Sequence, residues 1–320
     1  MNVTLIIPTL NEEHHIGPLL EQLVMQEPRR VLEILVADGG STDRTRDIVD
    51  NYAKREPRIR LIDNPQRIQA SGINGAAALA DPRSETIIRV DAHAGYPSDF
   101  VQNLLAEMDQ RQCDSVVVRL RTIGHTCFQF AVASVCNSPV GTGGSAHRIG
   151  GAPRFVDHGH HAAFKRHVFD RLGGYDPSFS ANEDAEFDLR LRASGGRIWF
   201  ASNIVVDYVP RSTLAALARQ YFRYGVGRAR NFQKHGGLRL RQLIPPAFLF
   251  LLAVSLLLSL RTPALLVLPA SYLFGVAAAT MHLWWRTSRR CALGAIVIIP
   301  VIHVSWATGF WCGLLRLVSG

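Results

Sequence analysis

The C-terminal quarter of the chain is almost free of charge, and this limits its fold more than any other feature. Three apolar segments, 244–260, 263–285 and 292–318, follow one another with short basic linkers between them. A helix needs about 20 apolar residues to cross a hydrocarbon core of roughly 30 Å. The second and third segments reach that length, and the first is marginal. A buried soluble helix is the alternative for any one segment, but three in succession favour a membrane domain.

Basic residues at the ends of these segments predict their orientation. Arginines stand before the first segment and after the second (Arg239, Arg241, Arg286, Arg289 and Arg290), whereas the turn between those segments carries only Arg261. Positively charged loops stay in the cytoplasm. We therefore expect a multi-pass membrane protein with its N-terminal domain in the cytoplasm.

Charge and cysteine content argue against several other classes of protein. The formal net charge is +9, and all but three of the 35 basic residues are arginines. No aromatic and basic nucleic-acid motif accompanies that charge, so we expect membrane lipids as partners and no nucleic acid. The five cysteines contain no CxxC pair. This predicts a reducing compartment, without a zinc site or a disulfide framework.

Before residue 240, short apolar runs alternate with helical patterns. The predicted strands include 3–7, 33–37, 58–62 and 86–90, and the predicted helices include 12–26, 42–54 and 70–80. Such alternation is typical of parallel βαβ units with right-handed crossovers, so the fold class is α/β with a doubly wound sheet. The glycine-rich stretch 141–151 predicts a mobile loop.

The segment 212–231 lies between these two regions and has an apolar face and an arginine-rich face. That pattern predicts a helix lying in the cytoplasmic membrane interface, and an ordinary packing helix is the alternative. The expected organisation is therefore a domain over 1–210, an amphipathic linker over 211–241 and a membrane domain over 242–320.

Three acidic motifs, referred to below as the first, second and third acidic stations, lie in the α/β region. They are Asp38 in "VADGGSTDRT", Asp91 with His93 in "RVDAHAGYP", and Glu183–Asp184 in "NEDAEF". The first two follow apolar runs, at the carboxyl ends of predicted strands, where open α/β sheets bind ligands. A carboxylate there is costly unless a cation or hydrogen-bond donor meets it. A nucleotide with a divalent metal would satisfy both stations.

The order and spacing of these motifs, together with "IIPTLNEE", resemble the family 2 glycosyltransferases from Val3 to about Tyr224. Within that family the runs "GGYDPSF", "NEDAEFDLRLRASGGRIWF" and "RQYFRYG" are most similar to bacterial exopolysaccharide glucosyltransferases of the succinoglycan β-1,3-glucosyltransferase type. The resemblance implies a GT-A fold with a mixed sheet. It also implies an inverting transfer of a hexose, glucose in particular, from a UDP-sugar to a lipid-linked saccharide during exopolysaccharide biosynthesis.

The resemblance assigns the nucleotide to residues at the strand ends and in "NPQRIQASGINGA" (Pro8, Thr9, Asn11, Glu12, Asp38, Arg67, Asn74 and Asp91). Backbone amides of the 8–13 loop can approach a nucleotide. Asp38 corresponds to the residue that hydrogen-bonds the base or ribose, and capping of its own turn is the alternative. Asp43 is expected to cap the following helix.

Asp91 and His93 occupy the place of the family's D-x-D metal motif. A divalent ion there neutralises the diphosphate leaving group. Because imidazole suits manganese better than magnesium, His93 favours Mn²⁺ over Mg²⁺. The alternative for His93 is a loop histidine that is hydrogen-bonded to backbone. The neighbouring cluster of His158, His160 and His161 is expected to shape the acceptor pocket rather than to bind metal.

Asp184 matches the family's general base and Glu183 an acceptor-side support. One base without a second carboxylate as nucleophile implies a single displacement with inversion. Gln220, Arg223 and Tyr224 stand where processive synthases carry Q-x-x-R-W, which implies contact with the acceptor or the diphosphate. Snorkelling to lipid head groups is the alternative for Arg223.

Three alternative functions remain. A processive synthase is disfavoured by the altered "QYFRY" and by the lack of a preceding span, and a polyprenyl-phosphate glycosyltransferase differs only in its acceptor. A membrane scaffold without activity is disfavoured because all three acidic stations are present. A dinucleotide dehydrogenase is excluded because "PTLNEE" replaces G-x-G-x-x-G after the first strand.

Overall fold

The computed structural model describes residues 1–237 and 240–316, apart from the side chains of His161, Leu240 and Arg241. These residues form two compact units. The sheet unit comprises Met1–Leu120 and Gly150–Tyr208, and the helical unit comprises Arg121–Ile149 and Val209–Gly320. Arg239, one of the arginines used to predict orientation, lies outside the described residues. So do the last two residues of the third apolar segment and the side chains of Arg241 and His161.

The strands all belong to one mixed sheet. They are β1 (Val3–Thr9), β2 (Val31–Asp38), β3 (Ile59–Asp63), β4 (Thr86–Arg89), β5 (Ala94–Gly95), β6 (Ser115–Thr122), β7 (Arg154–Val156), β8 (His160–Lys165) and β9 (Ile198–Tyr208). The helices are α1 (Ile16–Val24), α2 (Thr45–Ala53), α3 (Gln69–Ala78), α4 (Phe100–Arg111), α5 (Cys127–Cys136), α6 (Pro139–Thr142), α7 (Ala146–Ile149), α8 (Arg166–Arg171), α9 (Glu183–Ala193), α10 (Leu214–His235), α11 (Leu240–Ser259), α12 (Val267–Thr287) and α13 (Ala295–Leu314).

The strand order is β3-β2-β1-β4-β8-β6-β9-β5, with β7 added beside β9. The first four strands of this order are parallel, and β8 then pairs antiparallel with both β4 and β6. Because the early strands are joined through α1, α2 and α3, they must run parallel. The predicted α/β class and mixed sheet are confirmed.

Register brings the motif residues to one edge of the sheet. Thr9 of β1 lies opposite Asp38 of β2, which lies opposite Asp63 of β3. Asp91 follows the end of β4, whose Arg89 pairs with Ile6 of β1. The strand interiors are buried Val, Ile and Leu, so polar side chains accumulate where the strands end.

The three C-terminal apolar helices are long enough to span a membrane, as predicted. The candidate spans are Gln242–Ser259, Pro263–Thr287 and Arg290–Leu314, with mean hydropathy between 1.8 and 2.0. Short 3₁₀ turns at Pro263–Leu266 and Arg290–Gly294 begin the second and third spans.

The helical unit also contains the segment Arg121–Ile149 from the middle of the chain. This segment lies within the predicted domain over 1–210, which is therefore not continuous in the structure. Residues 121–149 leave the sheet after β6, and α5 packs its Ala131, Val132 and Val135 with Leu283 and other span residues. At ten residues, α5 is too short for a span and was therefore missed. The predicted mobile loop at 141–151 is also partly ordered, since α6 and α7 occupy much of this stretch.

Backbone contact holds α10 against α13. A Cβ at Gly225 would meet the Trp306 carbonyl oxygen at 2.0 Å, and one at Gly309 would meet the Phe222 carbonyl oxygen at 2.1 Å. Small residues allow such close approach between helices. The segment predicted to lie in the membrane interface thus has a face that packs on the third candidate span.

Two cysteines predicted to be unpaired form a disulfide. Cys127 at the start of α5 is bonded to Cys291, 164 residues later in the linker before α13. The expectation was a reducing compartment without a disulfide framework, and this single bond departs from it. Cys127 and Cys291 are far apart in the sequence, so no short spacing motif could have indicated that the fold brings them together. Among the described residues the other three cysteines are free thiols (Cys113, Cys136 and Cys312).

Candidate active site

Asp38, the first acidic station, is buried at the end of β2 and saturated by donors. Its Oδ2 accepts hydrogen bonds from the amides of Gly40 and Ser41 at 3.0 Å, and its Oδ1 accepts from the Ser41 hydroxyl at 2.5 Å. Burial alone would raise the pKa of Asp38, but the hydrogen bonds from Ser41, Arg46 and Gly40 hold that pKa below its usual value. The turn-capping alternative thus describes the geometry of Asp38.

Arg46 extends this station to a second carboxylate that the sequence analysis missed. Its Nη1 lies 2.9 Å from Asp38 Oδ2 and 2.9 Å from Asp63 Oδ1. The side chain of Asp63 is 79% exposed, whereas that of Asp38 is inaccessible. Arg67 approaches the same turn, because its guanidinium lies next to Gly40. At this edge of the sheet, the groups accessible to an incoming ligand include Asp63, Arg46 and Arg67.

The loop after β1 is locked to the start of α2. The amides of Asn11, Glu12 and Glu13 donate to Ser41 Oγ, Thr45 Oγ1 and Asp43 Oδ2 at 2.8–3.1 Å. These three amide protons are used within the protein, and the nucleotide contact of this loop stays a prediction. Asp43 also accepts from Thr45, in keeping with its predicted capping role.

Glu12 holds the histidine of the second station. Its Oε1 lies 2.8 Å from His93 Nδ1, and its Oε2 lies 3.0 Å from His15 Nδ1. Burial raises the pKa of Glu12, but the hydrogen bonds and charges of His93 and His15 together outweigh it and lower that pKa. With Glu12 ionised, Nδ1 of His93 is the donor in this hydrogen bond. This carboxylate–histidine arrangement is the one that commonly orients a metal-binding imidazole.

Asp91 is partly exposed and surrounded by donors. Its Oδ1 accepts from Arg89 Nε at 3.1 Å and Gln69 Nε2 at 3.3 Å, and its Oδ2 lies 3.3 Å from His160 Nε2. Burial would raise the pKa of Asp91, but the charge of Arg89 and the bond to His160 keep it well below its usual value.

An ionised carboxylate and an oriented imidazole fit a divalent ion whose remaining ligands come from a diphosphate and water. Within the described part of the chain, no three His, Cys, Asp or Glu side chains form a complete cluster for a metal. The metal contacts of Asp91 and His93 stay a prediction.

The third station divides between two differently placed carboxylates at the start of α9. Glu183 is buried and its Oε1 lies 3.0 Å from Arg89 Nη1, whereas Asp184 is half-buried and accepts from the Ala185 amide at 2.7 Å. Burial raises the pKa of Glu183 in spite of Arg89. Glu183, expected to support the acceptor, instead faces the interior, so Asp184 is the more accessible of the two carboxylates.

Arg89 is the main residue that the sequence analysis missed. It is 6% exposed and contacts both Asp91 and Glu183. It lies on β4, two residues before Asp91, so the only available signal was a charged residue inside an apolar strand. The second and third stations are thus two ends of one buried ion network.

Other predicted site residues have identifiable structural partners. Both polar atoms of the Asn74 side chain bind the backbone of Tyr175, at 2.7 and 2.9 Å, so its nucleotide contact stays a prediction. The histidine cluster divides: His158 Nδ1 lies 2.7 Å from Asp188 Oδ2, and His160 faces Asp91. Pro8 and Thr9 lie at the end of β1, as predicted.

Gln220, Arg223 and Tyr224 lie on α10 of the helical unit. Gln220 Nε2 donates to the Tyr224 hydroxyl at 3.0 Å, and the Tyr224 ring packs edge-on to Tyr221 with centroids 5.6 Å apart. The polar residues are one helical turn apart and form one face. Their contact with acceptor or diphosphate stays a prediction.

Comparisons with known proteins show the family of this chain. The model of glycosyl transferase family 2 matches residues 4–173. The chain is 41% identical to the succinoglycan biosynthesis protein ExoA of Rhizobium meliloti (strain 1021), covering 97% of this chain and 94% of that protein. It is 26% identical to a dolichyl N-acetyl-alpha-D-glucosaminyl phosphate 3-beta-D-2,3-diacetamido-2,3-dideoxy-beta-D-glucuronosyltransferase of Methanococcus voltae, covering 98% and 97%.

A solved structure shares the fold. The mannosyltransferase PcManGT from Pyrobaculum calidifontis, in complex with GDP-Man and Mn²⁺, superposes with a TM-score of 0.62 at 21% identity, covering 98% of this chain and 87% of that one. The sheet is accordingly of the GT-A type. With the family model, the near full-length relative and the fold in agreement, the chain belongs to the family 2 glycosyltransferases.

Proposed function

We propose that this chain is a membrane-anchored, inverting hexosyltransferase that moves a sugar, glucose in particular, from a UDP-sugar to a lipid-linked saccharide in exopolysaccharide biosynthesis. The observation that carries the proposal is the division of the third station. Asp184 is accessible, while its neighbour Glu183 is joined through Arg89 to Asp91. A base and a nucleotide-holding carboxylate are thereby linked within one rigid framework of strand and helix.

The reaction follows from these positions. Asp184 takes the proton from the acceptor hydroxyl while that oxygen attacks the anomeric carbon, and the nucleoside diphosphate leaves from the opposite face. Asp91 and His93 would hold a divalent ion, which would neutralise charge on the leaving diphosphate. Glu12 orients the His93 ring, and Asp63 and Arg46 bind the nucleoside end at the neighbouring strand ends. One displacement inverts the anomeric configuration.

The relatives support the class of acceptor. The near full-length relative is named for succinoglycan biosynthesis, and the name of the Methanococcus voltae enzyme describes transfer onto a dolichyl-phosphate-linked sugar. The solved mannosyltransferase carries GDP-Man and Mn²⁺, which supports a nucleotide-sugar donor with a divalent ion. Manganese is favoured here because one of the two protein ligands is an imidazole.

Orientation is part of the proposal. The linker between the second and third spans carries Arg286, Arg289 and Arg290, which places it in the cytoplasm by the positive-inside rule. The catalytic domain then works at the cytoplasmic face of a bacterial inner membrane, with α10 in the membrane interface. Gln220, Arg223 and Tyr224 are assigned to the acceptor or diphosphate side.

A donor panel tests the function. The full chain, in membranes that contain its own lipid-linked acceptors, is incubated with Mn²⁺ and UDP-glucose, other UDP-sugars or GDP-mannose, and nucleotide release is measured. We expect release with UDP-glucose and a sharp loss in Asp91→Asn. The exposed Asp50→Asn on α2 is the matched control. Absence of release with every donor would support the scaffold alternative and overturn the proposal.

Analysis of the product separates the enzyme alternatives. A single added hexose that resists mild acid supports transfer to a lipid-linked saccharide. An acid-labile sugar phosphate would establish a polyprenyl-phosphate glycosyltransferase, and a ladder of lengths would establish a processive synthase. Either of these two outcomes would overturn the assigned acceptor or the single transfer.

A further inference from the structure

One buried cation serves two acidic stations. Arg89 is 6% exposed, its Nε lies 3.1 Å from Asp91 Oδ1, and its Nη1 lies 3.0 Å from Glu183 Oε1. The three groups together carry one negative charge in excess when both carboxylates are ionised. A charge buried away from water needs a partner of opposite charge. A change in the charge of one carboxylate must therefore alter the strength of the ion pair between Arg89 and the other carboxylate.

The guanidinium is held in place from several sides. Arg89 is part of a strand that pairs with β1 and β8, so its backbone cannot shift freely. Its guanidinium lies 6.0 Å from the ring centroid of Tyr175, which is fully buried. The backbone of Tyr175 is in turn fixed by both polar atoms of Asn74. Arg89 can therefore redistribute its hydrogen bonds between Asp91 and Glu183, but it cannot leave them.

The two carboxylates differ in what else can bind them. Asp91 is 21% exposed and borders the proposed nucleotide–metal site, whereas Glu183 is 9% exposed and faces Arg89. A divalent cation at Asp91 competes with Arg89 for the same carboxylate. An ionised Glu183 draws Arg89 away and so favours the cation. Without the charge of Glu183, Arg89 pairs more fully with Asp91 and opposes it.

We infer that Glu183, acting through Arg89, sets the affinity of Asp91 for the divalent cation and nucleotide, and thereby couples donor binding to the helix that carries Asp184. This inference rests on the proposed function, because it takes Asp91 as a cation ligand. Glu183 and Arg89 are positioning residues in this scheme. The coupling is reciprocal: a cation at Asp91 strengthens the Arg89–Glu183 pair and steadies the start of α9 beside the base.

The test is a double-mutant cycle that needs no turnover. The dissociation constant of Mn²⁺ in the presence of saturating UDP is measured by electron paramagnetic resonance on the full chain in nanodiscs, for wild type, Glu183→Gln, Arg89→Met and the double variant. We expect Glu183→Gln to weaken binding at least about 5-fold in the wild type and to have no effect in the Arg89→Met background. Asp170→Asn, which removes an exposed carboxylate on α8, is the control and should not alter binding.

The outcomes distinguish this inference from the proposed function. If the wild type binds no Mn²⁺ with UDP, or if Asp91→Asn binds as well as the wild type, the proposed metal site is wrong. If the metal site is right, Asp91→Asn is expected to lose Mn²⁺ binding. If Glu183→Gln nevertheless leaves Mn²⁺ binding unchanged, or weakens it equally in the wild-type and Arg89→Met backgrounds, the coupling through Arg89 is wrong. Should Arg89→Met fail to fold, Arg89→Lys serves as the second background. Its single ammonium cannot bind both carboxylates with a fork, so the effect of Glu183→Gln should shrink there.

Discussion

The sheet unit and the helical unit bury polar groups in opposite ways. Among the residues that the structure describes, all the charged side chains classed as buried lie in the sheet unit (Glu33, Asp38, Arg89, Glu183, Glu186 and Asp188). The buried polar side chains of the helical unit are neutral (Thr122, Gln129, Ser138, Asn231, Ser255 and Thr280). Buried charge is expensive unless it is paired, and in the sheet unit each of these groups has an ion-pair partner. The contrast indicates that one unit is built for chemistry and the other for close packing in an apolar setting.

The largest expected effect comes from the helical unit, where backbone meets backbone. Gly309→Ala would put a Cβ 2.1 Å from the Phe222 carbonyl oxygen, which forces α10 and α13 apart. We expect a loss of about 1–3 kcal/mol or more in stability, seen as a lower melting temperature and aggregation on size exclusion. Gly275→Ala on α12 is the matched control, because nothing lies within 4 Å of its added Cβ. Equal stability of the two variants would disprove the close packing.

A second prediction concerns charge burial in the sheet unit. Asp38→Asn removes the anion that Arg46 and the Gly40–Ser41 turn surround, and we expect it to cost about 1.5–3 kcal/mol near neutral pH. Because the pKa of Asp38 is lowered in the folded state, its stabilisation is present above the unfolded pKa and is lost as pH falls through the folded value.

Denaturant unfolding at several pH values checks this sign. The stability difference between wild type and Asp38→Asn should shrink as pH drops below the ordinary aspartate pKa of 3.8. A difference that is constant with pH, or that grows in acid, would mean that the ionised carboxylate is not what stabilises the turn. Asp50→Asn, on the exposed face of α2, should show no such trend.

A smaller effect is expected for the redox state of the disulfide, and it tests the proposed orientation of the chain in the membrane. The bond between Cys127 and Cys291 lies beside the arginine-rich linker proposed to be cytoplasmic. Cytoplasmic thiols keep such pairs reduced. We expect N-ethylmaleimide added to intact cells to alkylate both cysteines, and purified protein to form the bond readily in air, as judged by peptide mass mapping. A bond that is already complete in cells would contradict the cytoplasmic placement of the linker.

The sequence was informative where local pattern decides structure. Alternating apolar runs predicted strands β1 to β4, and their ends located Asp38 and Asp91, because parallel strands must finish at a common edge. It was uninformative where distant segments meet. Arg89 was a charge in an apolar strand with no visible partner until Glu183, 94 residues later, was brought to it. The disulfide and the packing of α5 in the helical unit were missed for the same reason.

Individual roles also depended on tertiary contacts. The motif gave Asp184 the role of base and Glu183 that of an acceptor-side support, but it did not indicate that Glu183 is buried against Arg89 while Asp184 is only half-buried. Likewise, Glu12 was assigned to the nucleotide, but its carboxylate binds His93 and His15. Burial and hydrogen-bond geometry distinguish such neighbours, and neither is encoded in the spacing of a motif.

The central claim is that the adjacent carboxylates of the third station perform different tasks, and a paired measurement tests it most directly. The kcat for hexose transfer and the dissociation constant of Mn²⁺ with UDP are measured for Asp184→Asn and Glu183→Gln in the full chain. We expect Asp184→Asn to lower kcat by about 10²- to 10⁴-fold with little change in Mn²⁺ binding, and Glu183→Gln to weaken Mn²⁺ binding. An Asp184→Asn enzyme with normal kcat, or the two effects exchanged between the variants, would show that the two carboxylates do not have these separate roles.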